Sequence, residues 1–114
     1  MMDKKIDLGN LFAFYGGILT RHQQQILKAY LYEDHSLKEI SENHKISRQG
    51  VHDSIRRSEA ILMDLEDKLG LYALQEALVK LKMTFESFKK DPSQEEGLAL
   101  MEQQLLAMEK ILES

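Results

Sequence analysis

The chain has 114 residues, a formal net charge of −4 and no cysteine. The lack of thiols excludes disulfide bonds and thiolate metal sites, and the length fits one domain, or a small domain with an appendage. Glycine and proline are scarce, with 6 and 1 residues, which is typical of a helical protein with few turns. No apolar run approaches the ~18 residues that span a bilayer, and no signal region is visible, so we expect a soluble cytoplasmic protein.

Two helices are predicted in the first third of the chain. The first runs from about Asp7 to Tyr15 and ends at a pair of glycines, Gly16 and Gly17. The second follows Thr20, which has a glutamine three residues later and therefore fits a capping box. The residues predicted to face the core at helical spacing are Leu8, Leu11, Phe12 and Tyr15 in the first helix and Ile26, Leu27, Tyr30 and Leu31 in the second.

The segment from Ser36 to Arg57, SLKEISENHKISRQGVHDSIRR, has the pattern of a helix-turn-helix. Ser36 and Glu39 fit a capping box at the start of its first helix, and Ser47 can cap the second. The turn needs a left-handed residue, and Lys45 aligns with that position at a cost of about 1 kcal/mol relative to glycine. The aliphatic residues predicted to pack between the two helices are Leu37, Ile40, Ile46, Val51 and Ile55.

Polar side chains fill the outward side of the second motif helix, where helix-turn-helix proteins meet DNA. Arginine pairs with guanine and glutamine with adenine in the major groove, whereas other cations contact phosphates. The candidate base-contacting residues are Arg48, Gln49, His52 and Asp53, and the candidate phosphate-contacting residues are Lys45, Arg56 and Arg57. A local basic face on an acidic protein fits a reader that touches DNA at one site. The alternative is a solvated helix face without a ligand.

The apolar spacing continues beyond this segment and predicts an all-α fold. The second motif helix should extend to Gly70, a further helix should follow, and Asp91 with Pro92 should begin the last helix. We therefore expect a helix-turn-helix domain at residues 1–70 and a C-terminal helical hairpin or dimerisation extension at residues 71–114. Its dimer or packing seam is predicted at Leu74, Leu78, Leu81, Phe85, Phe88, Leu98, Met101, Leu105, Met108 and Leu112.

A seam of this length left in water would be a large exposed apolar patch, which soluble monomers avoid. The helices beyond Gly70 can fold back on the long helix or pack against a second copy, and we favour a homodimer built by these C-terminal helices. Methionines such as Met83, Met101 and Met108 are adaptable packing residues. A Met-rich groove for a helix of another protein is the alternative.

From Leu11 to Leu71 the chain resembles the YlxM family of small bacterial proteins. The segments that carry the resemblance are FYGGILT (14–20), YLYEDHSLKEIS (30–41), ISRQGVHDSIRRSE (46–59) and EDKLGL (66–71). The motif is also similar to region 4 of bacterial sigma factors, where a helix-turn-helix contacts promoter DNA. The resemblance implies an all-helical fold with a sigma-region-4-like motif. Because family genes lie beside those for signal recognition particle components, it also implies a role in that pathway or its regulation.

The chain departs from the family pattern within the motif itself. The family usually has glycine where Lys45 stands and an aromatic residue at His44, and it often has alanine and tyrosine at Gly50 and His52. Gly50 weakens the helix by up to about 1 kcal/mol relative to alanine. These changes affect base reading more than the fold.

No catalytic constellation, cofactor motif or metal-ligand spacing is visible, so we do not expect an enzyme. The leading hypothesis is a DNA-binding regulator whose dimer would present two recognition helices. The second hypothesis is a module that binds protein or ribonucleoprotein and acts directly on the signal recognition particle. A third is a sigma-like remnant without nucleic-acid contact.

Overall fold

The computed structural model describes residues 4–113, with side chains from Asp7 onward, and all regular structure in this range is helical. The predicted all-α fold is therefore confirmed. The helices are α1 (Lys4–Tyr15), a 3-10 turn (Gly16–Ile18), α2 (Arg21–Leu31), α3 (Leu37–His44), α4 (Arg48–Leu69), α5 (Leu71–Lys90) and α6 (Glu96–Glu113).

The chain forms two compact units, one ending at Asp67 and the other beginning at Lys68. The first, called here the N-terminal unit, contains α1 to α3 and most of α4. The second, the C-terminal unit, contains the end of α4 with α5 and α6.

The N-terminal unit has a core made by all four of its helices. The predicted buried face of α1 is confirmed, and Tyr15 donates a hydrogen bond from its hydroxyl to Oε1 of Glu66 in α4, at 2.7 Å. Phe12 packs edge-on against Tyr32, with ring centroids 5.9 Å apart. The buried apolar residues are Leu8, Leu11, Phe12, Tyr15, Leu19, Ile26, Leu27, Ala29, Ile40, Val51, Ile55 and Leu62.

The predicted capping box of α2 is confirmed. The Thr20 hydroxyl accepts from the Gln23 backbone N–H at 3.1 Å, and the Gln23 side chain accepts from the Thr20 N–H at 3.0 Å. The buried face is narrower than predicted, because Tyr30 and Leu31 are only half-buried while Ala29 is buried. Ala29 follows Ile26 by three residues and therefore shares its side of the helix.

In the C-terminal unit, α6 runs back along α5. A Cβ added at Gly70 would lie 3.0 Å from Cγ2 of Ile111, and one at Gly97 would lie 2.7 Å from Cδ2 of Phe88. Residues at the start of α5 are therefore close to the end of α6, and residues at the end of α5 are close to the start of α6. This pair is called the hairpin below.

The predicted start of α6 at Pro92 is wrong, since the helix begins at Glu96. Asp91 does not cap α6 but closes a turn at the end of α5. Its carboxylate accepts from the Ser93 backbone N–H at 3.2 Å, and its carbonyl accepts from the Gln94 N–H at 3.3 Å. The aspartate side chain satisfies the turn backbone locally, which delays the helix by four residues.

The residues predicted as one seam fall into two rows of the hairpin. No described residue of α5 or α6 is buried. The inner row, which is half-buried between the two helices, consists of Leu74, Leu81, Phe88, Met101 and Met108. The outer row, which is exposed to solvent, consists of Leu78, Phe85, Leu98, Leu105 and Leu112. Each row repeats every seven residues, so each forms its own stripe along a helix.

Candidate nucleic-acid interface

The helix-turn-helix consists of α3, a turn of three residues and the first half of α4. The capping box predicted at the start of α3 is confirmed: the Ser36 hydroxyl accepts from the Glu39 N–H at 3.1 Å, and the Glu39 carboxylate accepts from the Ser36 N–H at 3.2 Å. The hydrogen bond from the Ser36 backbone, assisted by its hydroxyl, lowers the pKa of Glu39 below its usual 4.5. These bonds fix the start of α3 and the entry of the chain into the motif.

The turn after α3 depends on a left-handed residue, as predicted. Lys45 has φ 55° and ψ 42°, and its backbone N–H bonds to the Ser41 carbonyl. The Ile46 N–H reaches the same carbonyl at 3.1 Å. This arrangement satisfies the end of α3 and turns the chain into α4, and a lysine carries the strain that glycine would avoid.

The start of α4 explains why glycine is tolerated at position 50. The Ser47 hydroxyl accepts from the Gly50 N–H at 2.9 Å, which confirms the predicted cap. A Cβ at Gly50 would lie 3.2 Å from that hydroxyl oxygen. The missing side chain therefore lets the cap approach closely, at the expense of helix propensity.

The inner side of the motif is apolar, and this part of the prediction is mostly confirmed. Ile40 and Val51 are 0% exposed and Ile55 is 8% exposed, whereas Leu37 and the turn residue Ile46 are only half-buried. Farther along α4, Ser58 is buried and its hydroxyl has no hydrogen-bond partner within the described range. The packed inner face holds α4 so that its opposite side remains in solvent.

The candidate DNA-contacting residues all lie on the exposed side of the motif. Helical periodicity places Gln49 and Asp53 directly opposite the buried residues, with Arg56 on one flank and Arg57 on the other. Lys45 projects from the turn before the helix. The remaining candidates, Arg48 and His52, are exposed on the same flank as Arg56.

The electrostatics of this surface combine free cations with one central acid. Lys45, Arg48, Arg56 and Arg57 form no ion pair within the part of the chain that the structure describes. The Gln49 amide donates to the Asp53 carboxylate at 2.9 Å, and Nδ1 of His52 lies 3.8 Å from the same oxygen. The guanidinium groups are available to an anion, whereas Gln49 must leave Asp53 before it can read a base.

The sequence pattern did not reveal a cleft beside the recognition helix. The cleft has a volume of about 550 Å³ and is lined by Leu8, Tyr30, Leu37, His52, Ile55, Arg56 and Glu59. These residues come from all four helices of the N-terminal unit. Only their packing brings them together, so no local motif could have indicated it.

Two histidines from different predicted elements also meet. The rings of His22 and His44 pack edge-on, with centroids 5.6 Å apart. Among the described residues, no group of three or more His, Asp or Glu side chains is placed to hold a metal ion. None of the helices in the described range has the length and apolar composition needed to cross a bilayer.

Comparison with known proteins agrees with this geometry. Residues 2–110 match the family described as "UPF0122: Putative helix-turn-helix protein, YlxM / p13 like". A UPF0122 protein of Halalkalibacterium halodurans is 41% identical over 106 residues, which cover 90% of this chain and 94% of that protein. One of Oceanobacillus iheyensis is 47% identical over 81 residues, covering 71% and 77% of the two chains.

A third relative, from Symbiobacterium thermophilum, is 49% identical over 71 residues, covering 62% of this chain and 66% of its own length. The family is described by its helix-turn-helix and not by an enzymatic activity. From the matched helix-turn-helix and these relatives, the chain belongs to the UPF0122 family of YlxM- and p13-like proteins.

Proposed function

We propose that the protein is a DNA-binding regulator that places the first half of α4 in the major groove of a duplex. The observation that carries this proposal is the set of four cations, Lys45, Arg48, Arg56 and Arg57, which are exposed and form no ion pair among the described residues. Cations that no carboxylate neutralises are suited to phosphates, because each contact releases bound counterions from the DNA.

The position of each side chain around α4 suggests whether it would contact bases or phosphates. Gln49 and Asp53 face outward at the centre, where they would meet base edges, and Arg48 and His52 border them. Arg56 and Arg57 lie on opposite flanks, where the two phosphate strands of a major groove would pass. A sigma-region-4-like reader of this kind would use Asp53 to accept from a cytosine amine and Gln49 to bond adenine.

A homodimer would place two recognition helices on one duplex and so favour an inverted-repeat site. The cytoplasm is where such a regulator meets chromosomal DNA. Regulation of the signal recognition particle pathway is the biological role that we propose, on the strength of the sequence resemblance.

The second candidate is a protein or ribonucleoprotein module that acts directly on the signal recognition particle. The observation that favours it is Asp53, an acid at the centre of the outward surface that is bonded to the very glutamine expected to read DNA. On this alternative the flanking arginines would contact RNA, whose minor groove is wide and shallow, without entering a major groove.

Fluorescence anisotropy with labelled duplex DNA and with signal recognition particle RNA separates the two candidates. An Arg48→Ala/Arg56→Ala/Arg57→Ala variant should lose at least tenfold in duplex affinity at low salt. The dependence of log Kd on log salt should become shallower by about 2–3, roughly one per lost phosphate contact. The matched control is Lys80→Ala/Lys90→Ala/Lys110→Ala, which removes the same charge from exposed positions of the hairpin.

Three outcomes would refute the DNA proposal: no duplex binding by the wild type at low salt, equal binding by the arginine variant, or an equal loss in the lysine control. Selective binding of the RNA with arginine dependence would support the second candidate instead.

A further inference from the structure

The outer row of the hairpin is an exposed apolar surface on a chain that has a well-buried core elsewhere. Its five members, Leu78, Phe85, Leu98, Leu105 and Leu112, are between 47% and 68% exposed. We infer that this face binds the same face of a second copy of the chain, forming an antiparallel four-helix bundle. The inference deepens the dimer in the proposed function and does not depend on DNA binding.

The two halves of the row lie on one side of the hairpin. Each member stands one position after an inner-facing residue, Leu78 after Ala77 and Leu105 after Gln104, both half-buried. Helices that run in opposite directions bring equivalent positions of the heptad to the same side. The proximity of Gly70 to Ile111 and of Gly97 to Phe88 fixes the register of α6 along α5. In this register Leu78 is level with Leu105, and Phe85 is level with Leu98. The result is a continuous strip two side chains wide.

Charge borders this strip with opposite sign on its two edges. In α5 the residues four positions after Leu78 and Phe85 are Lys82 and Lys89, and Nζ of Lys89 lies 5.5 Å from the Phe85 ring centroid. In α6 the residues four positions after Leu98 and Leu105 are Glu102 and Glu109, with Glu95 before them. One edge of the strip is therefore basic and the other is acidic.

This asymmetry selects one dimer geometry. A two-fold axis parallel to the helices places α5 of one copy over α6 of the other, so that each basic edge meets an acidic edge at both sides of the bundle. Lys82 then lies level with Glu102 of the second copy, and Lys89 lies level with Glu95. An axis perpendicular to the helices, in the plane of the face, would stack lysines on lysines.

The surface is large enough for a stable dimer. The outer row exposes roughly 500–600 Å² of apolar side chain per copy, and the bordering charged residues bring the total close to the ~800 Å² per partner of a standard interface. Leu71, which is 40% exposed, stands seven residues before Leu78 and continues the same stripe, whereas Val79, Met83, Leu100 and Leu106 lie on other sides of the helices. A second copy of the chain supplies both a basic and an acidic edge at matched heights, which is why we infer this occupant and not a helix of another protein.

Light scattering on a sizing column tests the interface on the full chain without nucleic acid. We expect twice the chain mass of 13.2 kDa at tens of micromolar. Leu105→Glu should give the monomer mass with unchanged helicity by circular dichroism, because the Leu105 side chain is exposed in the isolated monomer and its replacement does not disturb the fold. Leu106→Glu is the matched control, since it is adjacent, similarly exposed at 57% against 50%, and outside the row. It should remain dimeric.

The charge pairing has its own test. Lys82→Glu should weaken the dimer about three- to tenfold by sedimentation equilibrium, because like charges then meet at both edges. Adding Glu102→Lys should restore the wild-type dissociation constant. A double variant no stronger than the single one would overturn the pairing.

Cross-linking tests the axis, because the natural chain has no cysteine. A mixture of Lys82→Cys and Glu102→Cys proteins should form a disulfide-linked dimer under mild oxidation, whereas neither protein alone should. A cross-link with Lys82→Cys alone would indicate the other axis. A monomeric wild type, or equal disruption by Leu106→Glu, would overturn the inference, and each of these results leaves the DNA proposal standing.

Discussion

The N-terminal unit keeps Ile26, Ile40 and Val51 entirely from solvent, whereas no described residue of α5 or α6 is buried. Both regions carry aliphatic residues at three- and four-residue spacing, so the difference in burial does not come from the apolar pattern of the sequence. The difference in burial comes from the number of neighbouring helices that pack against each helix. Four helices converge in the N-terminal unit, while two helices of a hairpin cover only one side of each other.

Periodicity therefore predicts a helix but not what its apolar side packs against. A hairpin with a seven-residue repeat buries its inner row within the chain and leaves any second row for another molecule. Three changes test whether the two units differ in this way.

Ile40 and Leu106 contrast a fully buried side chain of the N-terminal unit with an exposed one of the hairpin. Ile40→Ala should lower the free energy of unfolding by about 2–5 kcal/mol, because it removes a fully buried side chain and leaves a cavity. Leu106→Ala, at a half-exposed position of α6, should cost less than ~0.5 kcal/mol. Urea unfolding at one protein concentration measures both. Similar losses would mean that the hairpin surface is buried in solution and that the contrast between the units is false.

Gly97 in the hairpin and Gly9 in the N-terminal unit differ in the space available for an added Cβ. Gly97→Ala should destabilise the protein by about 1–3 kcal/mol, because its Cβ would lie 2.7 Å from the Phe88 ring where the hairpin turns. Gly9→Ala in α1 meets nothing within 4 Å and should stabilise by up to about 1 kcal/mol through helix propensity. Thermal unfolding gives the two signs directly. A stabilising Gly97→Ala would show that the hairpin is too loose to sense a methyl group.

Lys45 in the N-terminal unit and Gly70 in the C-terminal unit both have a left-handed backbone, and changing them should alter stability only slightly. Lys45→Gly should raise the free energy of unfolding by about 0.5–1 kcal/mol, because glycine adopts φ 55° without a Cβ clash. Lys45→Ala keeps the Cβ and should leave stability unchanged, so it controls for loss of the lysine charge. Gly70→Ala, at φ 65°, should shift stability in the opposite direction by a similar amount. Equal effects of glycine and alanine at position 45 would assign the change to charge.

The motif region could be predicted closely because its determinants are local. Capping boxes at Thr20 and Ser36 depend on residues three positions apart, and the left-handed turn at Lys45 follows from the spacing of the two helices. The exposed cations of α4 were also predictable, since they occupy the side opposite a regular apolar pattern. The start of α6 was not, because an Asp91 side chain that caps a helix and one that closes a turn look alike in sequence.

Sequence alone therefore determined the all-α class, the helix-turn-helix and the surface that its cations occupy, because each depends on interactions within a few turns of helix. Tertiary structure decided what lies far apart in the chain: the bond from Tyr15 to Glu66, the meeting of His22 and His44, and the division of one apolar seam into an inner and an outer row. Periodicity specifies which residues share a stripe. Only the packing of α5 against α6 shows that one stripe is covered within the chain and the other faces solvent.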